Sequence, residues 1–206
     1  MGICYIVGAA PACAPFSPEK DDFIIAADGG QAALSRLSLT PHLVVGDFDS
    51  SAAPAAVPYV KHPVEKDDTD CALAIREGRA RGYHTFALFG CLGGRLDHTL
   101  GAVQTALGAA KEGATLYLVG EGFLCRVLTE GEFTFTPTGK VSVLALSERA
   151  EGVGIVGLKY SLTNAVLTNA FPLGVSNEGQ GIPATVSVKT GALLILWEGD
   201  ALPKAK

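Results

Sequence analysis

The order of the apolar runs constrains this chain more than any single residue does. Over the first 120 residues, "CYIVGA", "FIIAADGG", "HLVVGDFDS", "TFALFG" and "TLYLVGE" are short, rich in Ile, Val, Leu or Phe, and closed by Gly or Asp or, in the last, by Gly and Glu. Such runs read as buried strands. Between them lie segments of helical pattern, "QAALSRL", "DTDCALAIREGRARG" and "LDHTLGAVQTALGAAKEG". Strands alternating with helices predict a parallel sheet flanked by helices. After about residue 123 the texture changes. "CRVLTEGEFTFTP", "KVSVLALSE", "TNAVLTNAF", "ATVSVKT" and "ALLILWEG" are strand-like pieces cut by Gly, Pro and Asn. They predict an all-β sandwich or barrel. The expectation is an α/β N-terminal domain over residues 1–122 and an all-β C-terminal sandwich over residues 123–206.

Composition supports a packed core. The 206 residues are 48% hydrophobic and 18% charged, well outside the disordered range. A net charge of -5 argues against general affinity for nucleic acid or an anionic membrane surface. The five cysteines are odd in number and form no CxxC pair, which favours reduced thiols in a cytoplasm over a disulfide framework or a zinc site. The apolar start "MGICYIVGAAPACAPF" lacks a basic leader region and is broken by Gly8, Pro11 and Pro15, so it reads as a first strand and loop rather than a signal peptide. No run reaches the ~18 uninterrupted apolar residues of a membrane span.

Parallel-sheet proteins place ligands outside the carboxyl ends of their strands. Four such places here carry acids or glycines: "AADGG" (Asp28, Gly29, Gly30), "GDFDS" (Asp47, Asp49), "EKDDTD" (Lys66, Asp67, Thr69, Asp70) and "GGRLDH" (Gly94, Arg95, Asp97, His98). Asp47 and Asp49 stand two apart, which points both carboxylates to one side of an extended segment. They suit Mg²⁺, a hard cation that takes one or two carboxylates together with phosphate oxygens; a plain Asp-rich turn is the other reading. In "EKDDTD", Asp68 or Thr69 can cap a helix and Asp70 can sit in its first turn. Capping leaves the remaining acids and Lys66 unexplained, and like charges so close repel by roughly 4 kcal/mol per pair at an effective dielectric of ~20. The glycines of "GGRLDH" let backbone approach a ligand, and an arginine can grip phosphate oxygens; a tight turn, a helix cap and a structural histidine are the alternatives. A metal-bound polyphosphate is the best common explanation, and no GxxxxGK[ST] loop is present.

Taken in order, "AADGG", "GDFDS", "EKDDTD", "GGRLDH", "GLKYSLTNAVL" and "GVSNEG" resemble the motifs of thiamine pyrophosphokinases, over roughly residues 26–198. The resemblance implies an α/β domain, a β-sandwich domain and a homodimer whose active sites lie between the N-terminal domain of one subunit and the C-terminal domain of the other. It implies Mg²⁺-dependent transfer of pyrophosphate from ATP to thiamine, giving thiamine diphosphate and AMP. Asp47, Asp49 and Asp70 match the family's metal and phosphate acids. Asp28, Gly29, Lys66, Asp67, Thr69, Gly94, Arg95 and Asp97 fall in its nucleotide and catalytic motifs, with Asp97 or Asp70 as candidate proton acceptor. Ser176 and Asn177 match the segment near thiamine. Trp197, the only tryptophan, could stack on a heterocycle or simply fill the core. One departure stands out: bacterial members of the family often have Ala-Asn after the "GGRLDHTL" segment, and here Gly101-Ala102 follows. Two other classes stay open, a metal-dependent phosphohydrolase that activates water and a non-catalytic protein that binds thiamine diphosphate or a nucleotide.

Overall fold

The computed structural model describes residues 2–11, 13–48, 56–63 and 68–203. Two compact units emerge, residues 1–109 with 118–121, and residues 110–117 with 122–206.

The first unit is built on five parallel strands: β1 (Cys4–Val7), β2 (Phe23–Ala27), β3 (Leu43–Gly46), β4 (Tyr59–Lys61) and β5 (Thr85–Phe89). They pair in the order β5-β1-β2-β3-β4. The chain thus builds outward from β1 on one side through β2, β3 and β4, then returns to place β5 on the other. That reversal leaves a crevice at the carboxyl ends of β1 and β5, the usual ligand position in open parallel sheets. The central strands are apolar along their whole length because helices cover the sheet. Phe86, Ile6, Ile25 and Leu88 have no more than a trace of exposed surface, and burying each contributes about 1.5–3 kcal/mol.

Three helices serve this unit: α1 (Gly30–Arg36), α2 (Asp70–Ala80) and α3 (Leu96–Lys111). Leu73, Ala74, Ile75 and Gly78 form the buried face of α2. Gly78 lets the helix come close to the sheet: a Cβ there would lie 2.6 Å from the Phe86 ring and 2.9 Å from Cys4 Sγ. β6 (Thr115–Val119) follows α3.

The second unit contains two antiparallel sheets. One has the order β12 (Asn177–Glu178), β9 (Lys140–Ala145), β14 (Leu193–Glu198), β7 (Phe123–Leu128). The other has the order β11 (Leu162–Thr168), β10 (Arg149–Val156), β13 (Ala184–Val188), β8 (Gly131–Phe135). Aromatic side chains join the two sheets. Phe133 and Phe135 of β8 stack at 4.9 Å, and Trp197 of β14 meets them at 5.6 and 5.2 Å. Trp197 is 6% exposed, so its environment is the sandwich core.

The sequence pattern misses β4, β10 and β12. β4 has three residues and half-exposed alternation, and β12 has two residues. In β10 the "GVG" segment breaks the alternation; its register against β11 shifts at Glu151/Val153 and again at Val153/Ile155. Gly152 takes a positive φ of 64° at the first shift, as β-bulges allow.

Candidate active site

A cleft of about 490 Å³ opens at the carboxyl ends of β1, β2 and β5. Its first wall is the loop Gly8 to Pro11 after β1. The next is Asp28 after β2. Thr69, Asp70 and Cys71 enter at the start of α2, and Gly90, Cys91, Gly93, Arg95 and Asp97 follow β5.

The loops after β1 and β5 are drawn together by backbone hydrogen bonds that outlast the strands. Gly8 N donates to Phe89 O at 2.8 Å, and Ala10 N to Gly90 O at 2.8 Å. A Cβ on Gly8 would stand 2.7 Å from Gly90 O and 2.9 Å from Cys91 Sγ, so only glycine allows this approach. Past it, Gly93 and Gly94 turn with φ of 84° and 69°. Thr99 fastens the turn: its Oγ1 accepts from Gly93 N at 3.0 Å and donates to Arg95 O at 3.3 Å.

Strand ends here hold unusual backbone. Asp28 and Phe48, just beyond β2 and β3, adopt φ of 50° and 57°. An aspartate tolerates this region and a phenylalanine rarely does. Asp28 N donates to Val45 O at 2.8 Å, which fixes the carboxylate-bearing residue at the cleft. Observed strain of this kind clusters at functional sites.

The acids sort into distinct roles. Thr69 is the N-cap of α2, its hydroxyl accepting from Ala72 N at 3.2 Å. Asp68 is tied to Arg76 by contacts of 2.6 and 3.0 Å. Asp70 occupies the first turn and lines the cleft. Asp97 grips Arg95 through two contacts, Nη2 to Oδ2 at 2.5 Å and Nε to Oδ1 at 3.1 Å. The hydrogen bond from Arg95 is the main reason its carboxyl falls to about 2, below the usual range near 4. Asp97 is thereby ionised and held against the Arg95 guanidinium.

Asp28, Thr69, Asp70, Arg95 and Asp97 are therefore brought to one cleft. Gly29 caps α1 and Gly94 adjoins the lining residue Gly93. Asp47 follows β3 and is not a lining residue. Its neighbour Gly46, however, sits where a Cβ would be 3.5 Å from Asp28 Cα. Asp49, Lys66 and Asp67 lie outside the described residues. Among the described residues no three His, Cys, Asp or Glu gather into a metal cluster. Asp47 and Asp70 nonetheless offer hard oxygen donors, and Mg²⁺ completes its shell with phosphate and water oxygens rather than an all-protein cage. Gly101 and Ala102 both line the cleft, and a Cβ on Gly101 would meet nothing within 4 Å, so the departure from the family pattern leaves open space.

In the second unit, Asn177 is 6% exposed and spends its amide on the backbone. Its Oδ1 accepts from Tyr160 N at 3.0 Å and Glu178 N at 2.8 Å, and its Nδ2 donates to Tyr160 O at 2.7 Å. It holds the Tyr160 loop in place. Ser176 is exposed, with φ of 62° and its N–H donated to Ser142 Oγ at 3.1 Å. Sequence reasoning missed the Gly8–Pro11 wall, Thr99 and the Cys71–Cys91 contact. The first consists of small apolar residues without chemical signal, and the other two are revealed only by three-dimensional pairing.

Known proteins resemble this chain in sequence and in fold. The family model "Thiamin pyrophosphokinase, catalytic domain" matches residues 17–118, and "Thiamin pyrophosphokinase, vitamin B1 binding domain" matches residues 132–193. Thiamine pyrophosphokinase of Bacillus subtilis (strain 168) is 29% identical over 189 residues, 85% of this chain and 87% of that protein. The crystal structure of the Bacillus subtilis thiamine pyrophosphokinase superposes with a TM-score of 0.85 at 25% identity, covering 97% of this chain and 99% of the other. That of Geobacillus thermodenitrificans thiamin pyrophosphokinase gives 0.84 at 28%, covering 97% and 98%. With both domains matched in order across most of its length, the chain belongs to the thiamin pyrophosphokinase family, whose members are thiamine diphosphokinase enzymes.

Proposed function

We propose that the cleft at the carboxyl ends of β1, β2 and β5 binds ATP, and that the chain transfers its terminal pyrophosphate to thiamine, releasing AMP. The convergence of Asp28, Asp70 and the Arg95–Asp97 pair on that one cleft carries the reading. Residues 1–122 would hold the nucleotide and residues 123–206 the thiamine.

Asp47 and Asp70, with Asp49 from outside the described residues, are the proposed carboxylates for Mg²⁺. Bound there with ATP, the ion would neutralise phosphate charge as a Lewis acid. The chain's own contribution is positioning and electrostatics. Gly93 and Gly94 bring backbone close to the phosphates. Arg95, aimed by Asp97, stabilises negative charge on phosphate oxygens. Thr69 and Thr99 keep the α2 terminus and the glycine turn in place. Lys66 and Asp67 complete the proposed nucleotide motif. Ser176 is the proposed contact to thiamine in the second unit. Asn177 supports that segment through the backbone, and Trp197 supports it from the core.

Exposed Val156, Tyr160, Phe171, Leu173, Val175 and Ile182 support a homodimer built on the second unit, because so many large apolar side chains seldom face water without a partner. Active sites would then combine the first unit of one subunit with the second unit of its partner. Among the described residues no helix is long and apolar enough to cross a membrane. A cytoplasmic location belongs to the same proposal, supported by five free cysteines.

Incubation with ATP, Mg²⁺ and thiamine, followed by chromatography, tests the reading. AMP and thiamine diphosphate in equal amounts are expected. AMP released equally well without thiamine would make the chain a hydrolase, and tight nucleotide binding with no turnover would make it a binding protein.

A further inference from the structure

Two cysteines meet on the cleft wall from different elements. Cys71, in the first turn of α2, and Cys91, just beyond β5, place their sulfurs 3.3 Å apart. Both line the cleft, twenty residues apart in sequence. Cys91 is buried, donates its S–H to Phe89 O at 3.2 Å, and is wedged against the Gly8 backbone. Cys71 is half-buried and faces the cleft. Neither thiol has a part in the proposed transfer.

We propose that Cys71 and Cys91 form a reversible disulfide that shuts down nucleotide binding in the cleft. The geometry is the warrant: the sulfurs need to approach by little more than ~1 Å to reach the ~2.05 Å of a bond. Cys71, reachable through the cleft, attacks hydrogen peroxide at one oxygen, breaking the O–O bond and giving a sulfenic acid and one water. Cys91 then attacks the Cys71 sulfur, the S–OH bond breaks, and a second water leaves with the Cys91 proton. Two thiols have lost two electrons to one peroxide. A dithiol reductant reverses the step by exchange.

The effect on the site follows from what each cysteine is attached to. Cys71 adjoins Asp70, and Cys91 leads into the Gly93–Arg95 turn. A bond that pulls the start of α2 toward the β5 loop moves Asp70 relative to Arg95. Phosphate contacts from Arg95 that depend on that placement are then lost or lengthened. Cys4 and Cys125 are buried within β1 and β7, out of reach of peroxide. Cys13, half-buried, is the other thiol that the peptide map must distinguish.

The regulatory part rests on the ATP reading of the cleft, so the test separates the two. The full chain is treated with stoichiometric hydrogen peroxide, and its intact mass, proteolytic map and ATP binding are measured before and after dithiothreitol. The expected result is a loss of two mass units, a Cys71–Cys91 linked peptide, and ATP affinity at least about tenfold weaker, the scale of one lost charge-assisted hydrogen bond, all reversed by reductant. Cys71→Ser should lose the link and show the same ATP affinity with and without peroxide. Cys91→Ser should stop at a sulfenic acid trappable on Cys71. No link, a Cys13–Cys91 link, or a Cys71–Cys91 link with unchanged ATP affinity overturns the proposal. Failure of the reduced protein to bind ATP would instead overturn the nucleotide reading and the regulatory step with it, while the mass map still decides the disulfide.

Discussion

Arg95 and Asp97 clasp each other at the start of α3 through two contacts, Nη2 to Oδ2 at 2.5 Å and Nε to Oδ1 at 3.1 Å. Both side chains are largely exposed, at 71% and 65%, so the pair adds little to stability. Its value lies in aim: the clasp takes up Nε and one Nη2 hydrogen and fixes the guanidinium plane at the cleft wall, which makes Nη1 the donor proposed to meet a phosphate oxygen.

That pairing sets a pH signature. The Asp97 carboxyl is held at about 2, first by the Arg95 hydrogen bond. Its folded value lies below the unfolded value near ~3.9, so its contribution to stability is present above that pH and is lost as pH falls toward 2. Side-chain NMR titration should place Asp97 near 2, and Arg95→Ala should return it toward the ordinary range. An ordinary value in the intact protein would mean the clasp does not exist in solution. Because Asp97 is already ionised, it should contribute no limb to the activity profile between pH 5 and 9.

Thr69 secures the start of α2, where Asp70 and Cys71 enter the cleft. Thr69→Ala removes a cap worth about 1 kcal/mol. Amide exchange at Ala72 and Leu73 should accelerate roughly fivefold, with β1 and β5 unchanged. Unaltered exchange at Ala72 would show that the hydroxyl bond does not hold the helix.

Two helical glycines should respond in opposite ways to the same substitution. Gly108→Ala in α3 meets open space and should gain about 0.5–1 kcal/mol. Gly78→Ala in α2 drives a methyl to within 2.6 Å of the Phe86 ring, which must shift. It should lose about 1–3 kcal/mol despite alanine's better helix propensity. Thermal midpoints of the two variants, measured side by side, decide this. A rise in both would mean that α2 does not approach the sheet so closely.

Asp70 lines the cleft from the first turn of α2. Asp70→Asn should keep the circular dichroism of the parent and lower kcat by about a hundredfold or more, the scale of a lost electrostatic contact. Near-normal turnover would remove Asp70 from the chemistry.

Much of this was legible from the residues. Apolar runs closed by Gly or Asp located β1, β2, β3 and β5, and the periodicity of "DTDCALAIREGRARG" located α2, because these elements bury whole faces. β10 escaped because its glycines interrupt the alternation that marks a half-buried strand. At the site, charged residues announced themselves, and the resemblance ordered them. What stayed hidden depended on pairing in space. Asn177 reads as a polar contact to substrate, yet its amide is consumed by the Tyr160 backbone. Asp97 reads as a lone acid beside an arginine, yet the two are clasped by a pair of contacts. Cys71 and Cys91 read as scattered thiols until the fold sets them 3.3 Å apart.

The central claim is that the nucleotide's phosphates occupy the crevice where the strand order turns back at β1. A crystal structure with Mg²⁺ and a non-hydrolysable ATP analogue tests it directly. The account predicts phosphate density between the Gly93–Arg95 turn and Asp70, with Arg95 in contact. Density for the triphosphate seated on the second unit, with this crevice holding only solvent, would contradict it.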